Sequence, residues 1–253
     1  MRRTILYWYL PLAIGLIAAS VFATGFVMVL GGRVGEPVSQ PTISKPAPAI
    51  PAEGIRAMIL GDSLARGTGD ETGLGIGGGF DSELDRLKVK KQKTINVAIN
   101  GARTTDLLKQ LESANIRRLI GESNIIIVSI GGNDLFGDSE SRSGAPPNPE
   151  KVMDTVMGRV EQVMDVVRKS NPRARIFLIG LYNPFGGSEY GKLAGVYVNR
   201  WNARLAGRFE NDPNLTIVQT SDLFSHHDRL SFDRFHPGGE GYRLIARRIA
   251  DSI

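Results

Sequence analysis

Residues 57–64 read Ala-Met-Ile-Leu-Gly-Asp-Ser-Leu: four apolar residues, then a glycine, an acid and a serine. The apolar run is short and shows no apolar/polar alternation, the pattern of a strand covered on both faces. Similar runs recur at Ile95–Ile99, Ile125–Ile130, Ile176–Leu181 and Leu215–Val218. Between them lie helical patterns at Phe80–Val89, Thr104–Ile120, Pro149–Lys169, Gly191–Phe209 and Gly239–Ile253, the third preceded by Asn148 as a plausible cap. Alternating strands and helices predict an α/β domain with a central parallel sheet and helices on both faces.

In open sheets of this kind ligands bind just beyond the carboxyl ends of the strands. The residues that follow each run therefore carry the chemical information. After the first comes Gly61-Asp62-Ser63-Leu64, after the second Asn100-Gly101-Ala102, after the third Gly131-Gly132-Asn133-Asp134. Just before the last helix stands Asp233-Arg234-Phe235-His236-Pro237. Singly, each has an ordinary structural explanation: a helix cap at Ser63, a tight turn at Gly101, a turn at Asn133, a surface charge at Asp233, a loop residue at His236.

Together they supply what acyl transfer needs. A serine hydroxyl is a poor nucleophile until a neighbouring base takes its proton, and neutral imidazole suits that task. A carboxylate must orient the imidazole. The tetrahedral oxyanion needs preorganised donors, and the backbone N–H groups of Ser63 and Gly101 with the Asn133 amide offer three.

These blocks, in this order, resemble those of the SGNH (GDSL-type) hydrolases over about residues 55–250. The stretch Gly61 to Asp70 most resembles the lysophospholipase-like bacterial esterase branch. The resemblance implies a flavodoxin-like three-layer sandwich. It also implies Ser63 as nucleophile and oxyanion donor, Gly101 and Asn133 as the further donors, His236 as base and Asp233 as its partner. No cofactor and no metal are implied. Ala98 departs from the pattern, standing where many members have a second glycine.

Composition narrows the class. The chain has 253 residues, 42% hydrophobic and 23% charged, which is ordinary globular content. Its net charge is +5, and Arg2, Arg3, Arg33 and Lys45 against Glu36 place more than half of that before residue 53. The near-neutral remainder gives no footprint for nucleic acid. There are no cysteines, so disulfides and thiolate chemistry are excluded.

Ile5 to Leu30 holds no charged residue and is long enough to cross a bilayer. Arg2 and Arg3 before it, and Tyr7, Trp8 and Tyr9 at its edge, predict a transmembrane anchor with a cytoplasmic N-terminus. A cleaved signal peptide is the rival, with Val21-Phe22-Ala23 as a tolerable cleavage site. Residues 31–52, with five prolines, read as a linker, and 53–253 as the hydrolase domain. The expected location is therefore membrane-anchored with the catalytic domain outside the cytoplasm, or secreted if the segment is cleaved.

Other motifs carry less. Gly73 to Gly78 satisfies GxGxxG without the expected strand before it, so Gly67–Gly79 reads as a mobile loop beside the cleft. Gly186–Leu193 nearly matches a phosphate-binding loop but lacks its final hydroxyl residue. His226-His227-Asp228 has no third ligand cluster to make a metal site. Trp201 and Tyr197 read as core, and Tyr182-Asn183-Pro184-Phe185 as pocket wall. The expected activity is cleavage of an oxygen ester: a lysophospholipid, an acylated cell-wall sugar or a small acyl ester. The alternatives are a non-catalytic cell-envelope binding module on the same fold and, more remotely, a nucleotide hydrolase.

Overall fold

The computed structural model describes residues 18–20, 23–24, 53–137, 149–186, 189–225 and 227–253. The chain divides into two units, Met1–Pro46 and Ala47–Ile253. In the first, residues 18–20 and 23–24 are helical. The expected membrane helix Ile5–Leu30, the linker 31–52 and the Asn148 cap lie in whole or in large part outside the described residues. Among the described residues no helix is long and apolar enough to cross a membrane.

The second unit is built on five strands: β1 (Ala57–Gly61), β2 (Ile95–Asn96), β3 (Ile125–Ser129), β4 (Arg175–Ile179) and β5 (Leu215–Val218). They pair in the order β2-β1-β3-β4-β5, and every pairing is parallel. This is the doubly wound flavodoxin-like order, in which the winding reverses between β1 and β3. Parallel strands need crossover connections, and helices supply them: α1 (Ser63–Arg66), α2 (Gly75–Arg86), α3 (Thr104–Gln110), α4 (Ala114–Glu122), α5 (Gly132–Phe136), α6 (Pro149–Ser170) and α7 (Glu189–Phe209), while α8 (Gly239–Ala250) follows the last strand.

Neighbouring residues of a strand point to opposite faces, so a run apolar throughout feeds two cores. Ala57, Ile59, Ile125, Ile127, Phe177 and Ile179 pack with Ile76, Phe80 and Leu84 of α2 and Tyr242, Ile245 and Ile249 of α8. Met58, Leu60, Ile126, Val128, Ile176 and Leu178 pack instead with Leu107 of α3, Ile120 of α4, Val160 and Val163 of α6, and Trp201 and Leu205 of α7. The absence of alternation in the sequence thus reflects three layers. Trp201 is buried, as its helical spacing with Tyr197 predicts.

Three elements differ from the sequence reading. The run Ile95–Ile99 yields only two paired residues, because β2 is an edge strand with a single neighbour. The pattern Thr104–Ile120 divides into α3 and α4, with Ser113 at the start of the second. The predicted mobile loop Gly67–Gly79 ends early, because α2 begins at Gly75 and buries Ile76, Gly77 and Gly79. Helix propensity argues against four glycines here, and packing overrides it. A methyl group on Gly79 would sit 3.0 Å from the Ala246 Cβ of α8, and one on Gly77 3.3 Å from Ile59 Cδ1. The glycines let α2 lie close on both the sheet and α8.

That closeness is testable. Gly79→Leu is expected to overpack the α2–α8 contact and destabilise the domain by about 1–3 kcal/mol, measured as a lower urea midpoint. An unchanged midpoint would show that the two helices have room to spare.

Candidate active site

The site begins where β1 ends. Gly61 has φ +129, and a Cβ there would fall 1.8 Å from the Ser129 carbonyl oxygen of β3. Only glycine admits so close an approach in that backbone conformation. Asp62 follows as the cap of α1. Its Oδ1 accepts from the Leu64 N–H at 3.1 Å and the Ala65 N–H at 3.5 Å, and from the Ser129 hydroxyl at 3.0 Å. Its own N–H donates to the Ser129 carbonyl at 3.0 Å. Ser63, the first residue of α1, is thereby carried out of the sheet at the point where the winding reverses.

His236 reaches it from a distant part of the chain. Its Nε2 lies 2.9 Å from Ser63 Oγ, and its Nδ1 lies 2.7 Å from Asp233 Oδ2. The three-residue spacing of Asp233 and His236 works because the chain turns between them, with Arg234 left-handed at φ 54. Asp233 Oδ1 collects the Phe235 and His236 N–H groups, both at 2.9 Å, and the Ser231 hydroxyl at 2.7 Å. That leaves Oδ2 for the imidazole. Burial alone would raise the Asp233 carboxyl, but these hydrogen bonds outweigh it and hold the group well below the usual carboxylate range. Asp233 is therefore ionised wherever the imidazole needs a counter-charge.

Asn133 sits in α5 after β3. Its Nδ2 donates to the Ala102 carbonyl at 3.0 Å, and the second N–H of that amide remains for the pocket. Gly101 lies in the turn after β2, exposed, with φ +74. Ser63, His236 and Asn133 line one pocket with Phe136, Leu181, Tyr182, Pro184, Phe185 and Phe235; Gly101 is outside that lining, on the neighbouring turn. The enclosed volume is about 60 Å³. Of the expected wall residues, Tyr182, Pro184 and Phe185 are in place, while Asn183 is outside the lining, its side chain bonded to the Gly191 carbonyl and the Phe185 N–H. Phe185 also meets Phe136, Tyr190 and Phe235 at ring-centre distances of 5.9, 4.9 and 5.9 Å.

Two tyrosines hold the converging loops. The buried Tyr182 hydroxyl donates to the Phe235 carbonyl at 2.7 Å, beside His236. The Tyr242 hydroxyl donates to the Thr68 carbonyl at 2.7 Å, on the loop after Ser63. Burial pushes both phenols above their ordinary range, so both remain donors. No short-range motif announces Tyr242, Ser231 or the tie that Tyr182 makes beyond its expected place in the wall, because their partners are distant or lie within an irregular turn.

A larger cavity of about 500 Å³ lies between residues 69–71 and 228–240, lined by Asp70, Glu71, Asp228, Glu240 and Arg229. Its lining omits Ser63, Asn133 and His236. Asp70 holds the Thr72 and Gly75 N–H groups, and Glu71 accepts from the Gly239 N–H, so these acids are engaged in the fold. Of the histidine pair, His226 lies outside the described residues. Among the described residues no group of three or more His, Cys, Asp or Glu side chains could hold a metal ion.

The profile of the GDSL-like Lipase/Acylhydrolase family matches residues 59–244. An uncharacterized protein of Bacillus subtilis (strain 168), YpmR, is 33% identical over 217 residues, covering 79% of this chain and 82% of that one. The spore germination lipase LipC of Bacillus licheniformis is 25% identical over 210 residues, covering 77% and 94%. The crystal structure of the lipase Lip_vut3 from a goat rumen metagenome superposes with a TM-score of 0.69 at 22% identity, over 78% of this chain and 97% of that one. That likeness is one of fold.

Asp62 makes a prediction about stability. Burial pushes its carboxyl up to about 6, against the Ser129 hydroxyl and the Ala65 and Leu64 N–H groups, which favour the ionised form. The ordinary value, 3.8, applies in the unfolded chain. Between these values the folded state binds more protons than the unfolded one, so this group's stabilisation is present below pH 4 and is lost as pH rises through 6. Asp62→Asn retains a capping side chain and removes the titration. The stability of the wild type relative to this variant is expected to fall by roughly 2 kcal/mol between pH 4 and 7. Urea unfolding at four pH values measures it, and parallel profiles for the two proteins would contradict it.

Proposed function

The chain belongs to the GDSL-like lipase/acylhydrolase family and is an ester hydrolase, and we propose that it works through an acyl intermediate on Ser63. The observation that carries this reading is the relay of two short contacts, Ser63 Oγ to His236 Nε2 and His236 Nδ1 to Asp233 Oδ2. Ser63 Oγ attacks the ester carbonyl as His236 takes its proton. The carbonyl oxygen becomes an oxyanion facing the N–H groups of Ser63 and Gly101 and the Asn133 amide. Collapse expels the alcohol, which receives the proton from His236. Water then repeats the sequence on the acyl-serine and frees the acid.

The acyl group is an uncharged hydrocarbon chain. Supporting this, Leu64, Phe136, Leu181, Pro184, Phe185 and Phe235 make much of the wall around Ser63, and its one carboxylate, Asp62, is buried and engaged in capping. The substrate is accordingly a lysophospholipid, an acylated cell-wall sugar or a small acyl ester, and the similarity to the spore germination lipase of Bacillus licheniformis favours a lipid ester. The domain works outside the cytoplasm, tethered through Ile5–Leu30. The charge-free run, the arginines before it and the proline-rich stretch after it support that placement.

Ser63→Ala is expected to lower kcat on an acyl ester by about 10⁴ or more in a folded protein, and Asn133→Ala by about 10²–10³ with KM little changed. Most of the activity surviving in folded Ser63→Ala would remove Ser63 as nucleophile. An effect of Asn133→Ala confined to KM would make it a substrate-binding group. For location, full-length protein is expected to resist extraction by high salt and alkaline wash, and external protease on protoplasts is expected to release an active fragment. Mature protein found in the medium without its N-terminal tag would instead show cleavage.

A further inference from the structure

The three turns that carry the oxyanion donors are tied to one another by side chains the reaction does not use. Asp134, next to Asn133, points both carboxylate oxygens at Thr104. Oδ1 accepts from Thr104 Oγ1 at 2.6 Å and Oδ2 from the Thr104 N–H at 2.9 Å. The carboxylate is only 4% exposed, with Arg159 of α6 3.7 Å away. One residue earlier, Asn133 Nδ2 binds the Ala102 carbonyl. On the other side Thr68 Oγ1, from the loop after Ser63, donates to Asn100 Oδ1 at 2.8 Å. The turn Asn100–Arg103 is thus gripped from both flanks.

It needs gripping. β2 is a two-residue edge strand paired only with β1. Beyond it the chain keeps two backbone bonds to β1, from the Val97 N–H to Ile59 and from the Ile99 N–H to Gly61. Gly101 itself is exposed, and no atom lies within 4 Å of where its Cβ would be. Ala102 beside it is buried in the core, but Gly101 has no packing of its own beyond its chain neighbours, so the polar ties bear on where its N–H points.

We propose that Asp134 and Thr104 form a positioning clamp that fixes the separation of the Gly101 and Asn133 oxyanion donors, with Thr68 and Asn100 as its counterpart toward Ser63. This rests on the reading of Ser63, Gly101 and Asn133 as the reacting site. An oxyanion hole acts only if its donors are held where the charge develops, and a displacement of about 1 Å costs up to about 10²-fold in rate. A pair that merely capped α3 would affect stability and leave the division between kcat and KM untouched.

The test uses full-length Thr104→Val, Thr104→Ser and Asp134→Asn with p-nitrophenyl acetate, and an alkylboronic acid as a tetrahedral mimic of the transition state. Thr104→Val and Asp134→Asn are expected to lower kcat about tenfold to hundredfold with KM little changed. They are expected to weaken boronate inhibition by a matching factor. Thr104→Ser, which keeps the hydroxyl, restores most of both. If Asp134→Asn does not fold, the two Thr104 variants decide alone. The clamp is overturned by unchanged kcat in folded Thr104→Val, by a loss confined to KM, or by equal damage in Thr104→Ser and Thr104→Val. Turnover that survives Ser63→Ala sinks the underlying reading instead, a result distinct from any outcome at Thr104.

Discussion

The ends of β1 and β3 meet at a distance only a glycine allows. The Ser129 carbonyl occupies the space a Gly61 side chain would take, and it accepts the Asp62 N–H, while the Ser129 hydroxyl binds the Asp62 carboxylate. From this contact the chain leaves β1 into α1 with Ser63 at its head, and leaves β3 into α5 with Asn133 in its first turn. A parallel doubly wound sheet sends the connections on either side of its switch point to opposite faces, which opens a crevice there. The β1–β3 contact places one candidate reacting group, Ser63 or Asn133, on each side of that crevice. The loop bearing Asp233 and His236 then closes over it, held by Tyr182 and by α8.

The site is a balance of buried polar groups. Asp62 and Asp233 are both carboxylates at the carboxyl edge, and their surroundings drive them apart. Asp62 is enclosed, and desolvation dominates. Asp233 stays near solvent, and its hydrogen bonds dominate. The first serves the backbone by capping α1, and the second serves the imidazole. The identity of the side chain says nothing about this division, which depends on how many donors each carboxylate meets and how much water remains beside it.

This separates what the sequence makes legible from what it does not. The parallel sheet was readable because β1, β3 and β4 are apolar without alternation, a pattern that follows from coverage on both faces. Ser63, Asn133, Asp233 and His236 were readable because each stands in a short motif, and the structure brings Ser63, Asp233 and His236 into direct contact. The start of α2 was hidden because its glycines, poor in helix propensity, are selected by the closeness of Ala246 and Ile59, residues far away in sequence. The pairing of Asp134 with Thr104, and the help Ser231 gives Asp233, were hidden for related reasons: one partner lies 30 residues off and the other inside an irregular turn. Local chemistry is written locally, and support is written in tertiary contacts.

The contact between Ser63 and His236 joins residues 173 positions apart. It also depends on α8, whose Tyr242 reaches back to hold Thr68. A chain in which β1 and β3 have paired but residues 233–236 have not docked holds the candidate nucleophile without its candidate base. On the proposed reading of the site, the reacting set is complete only when residues 233–250 have docked against the sheet.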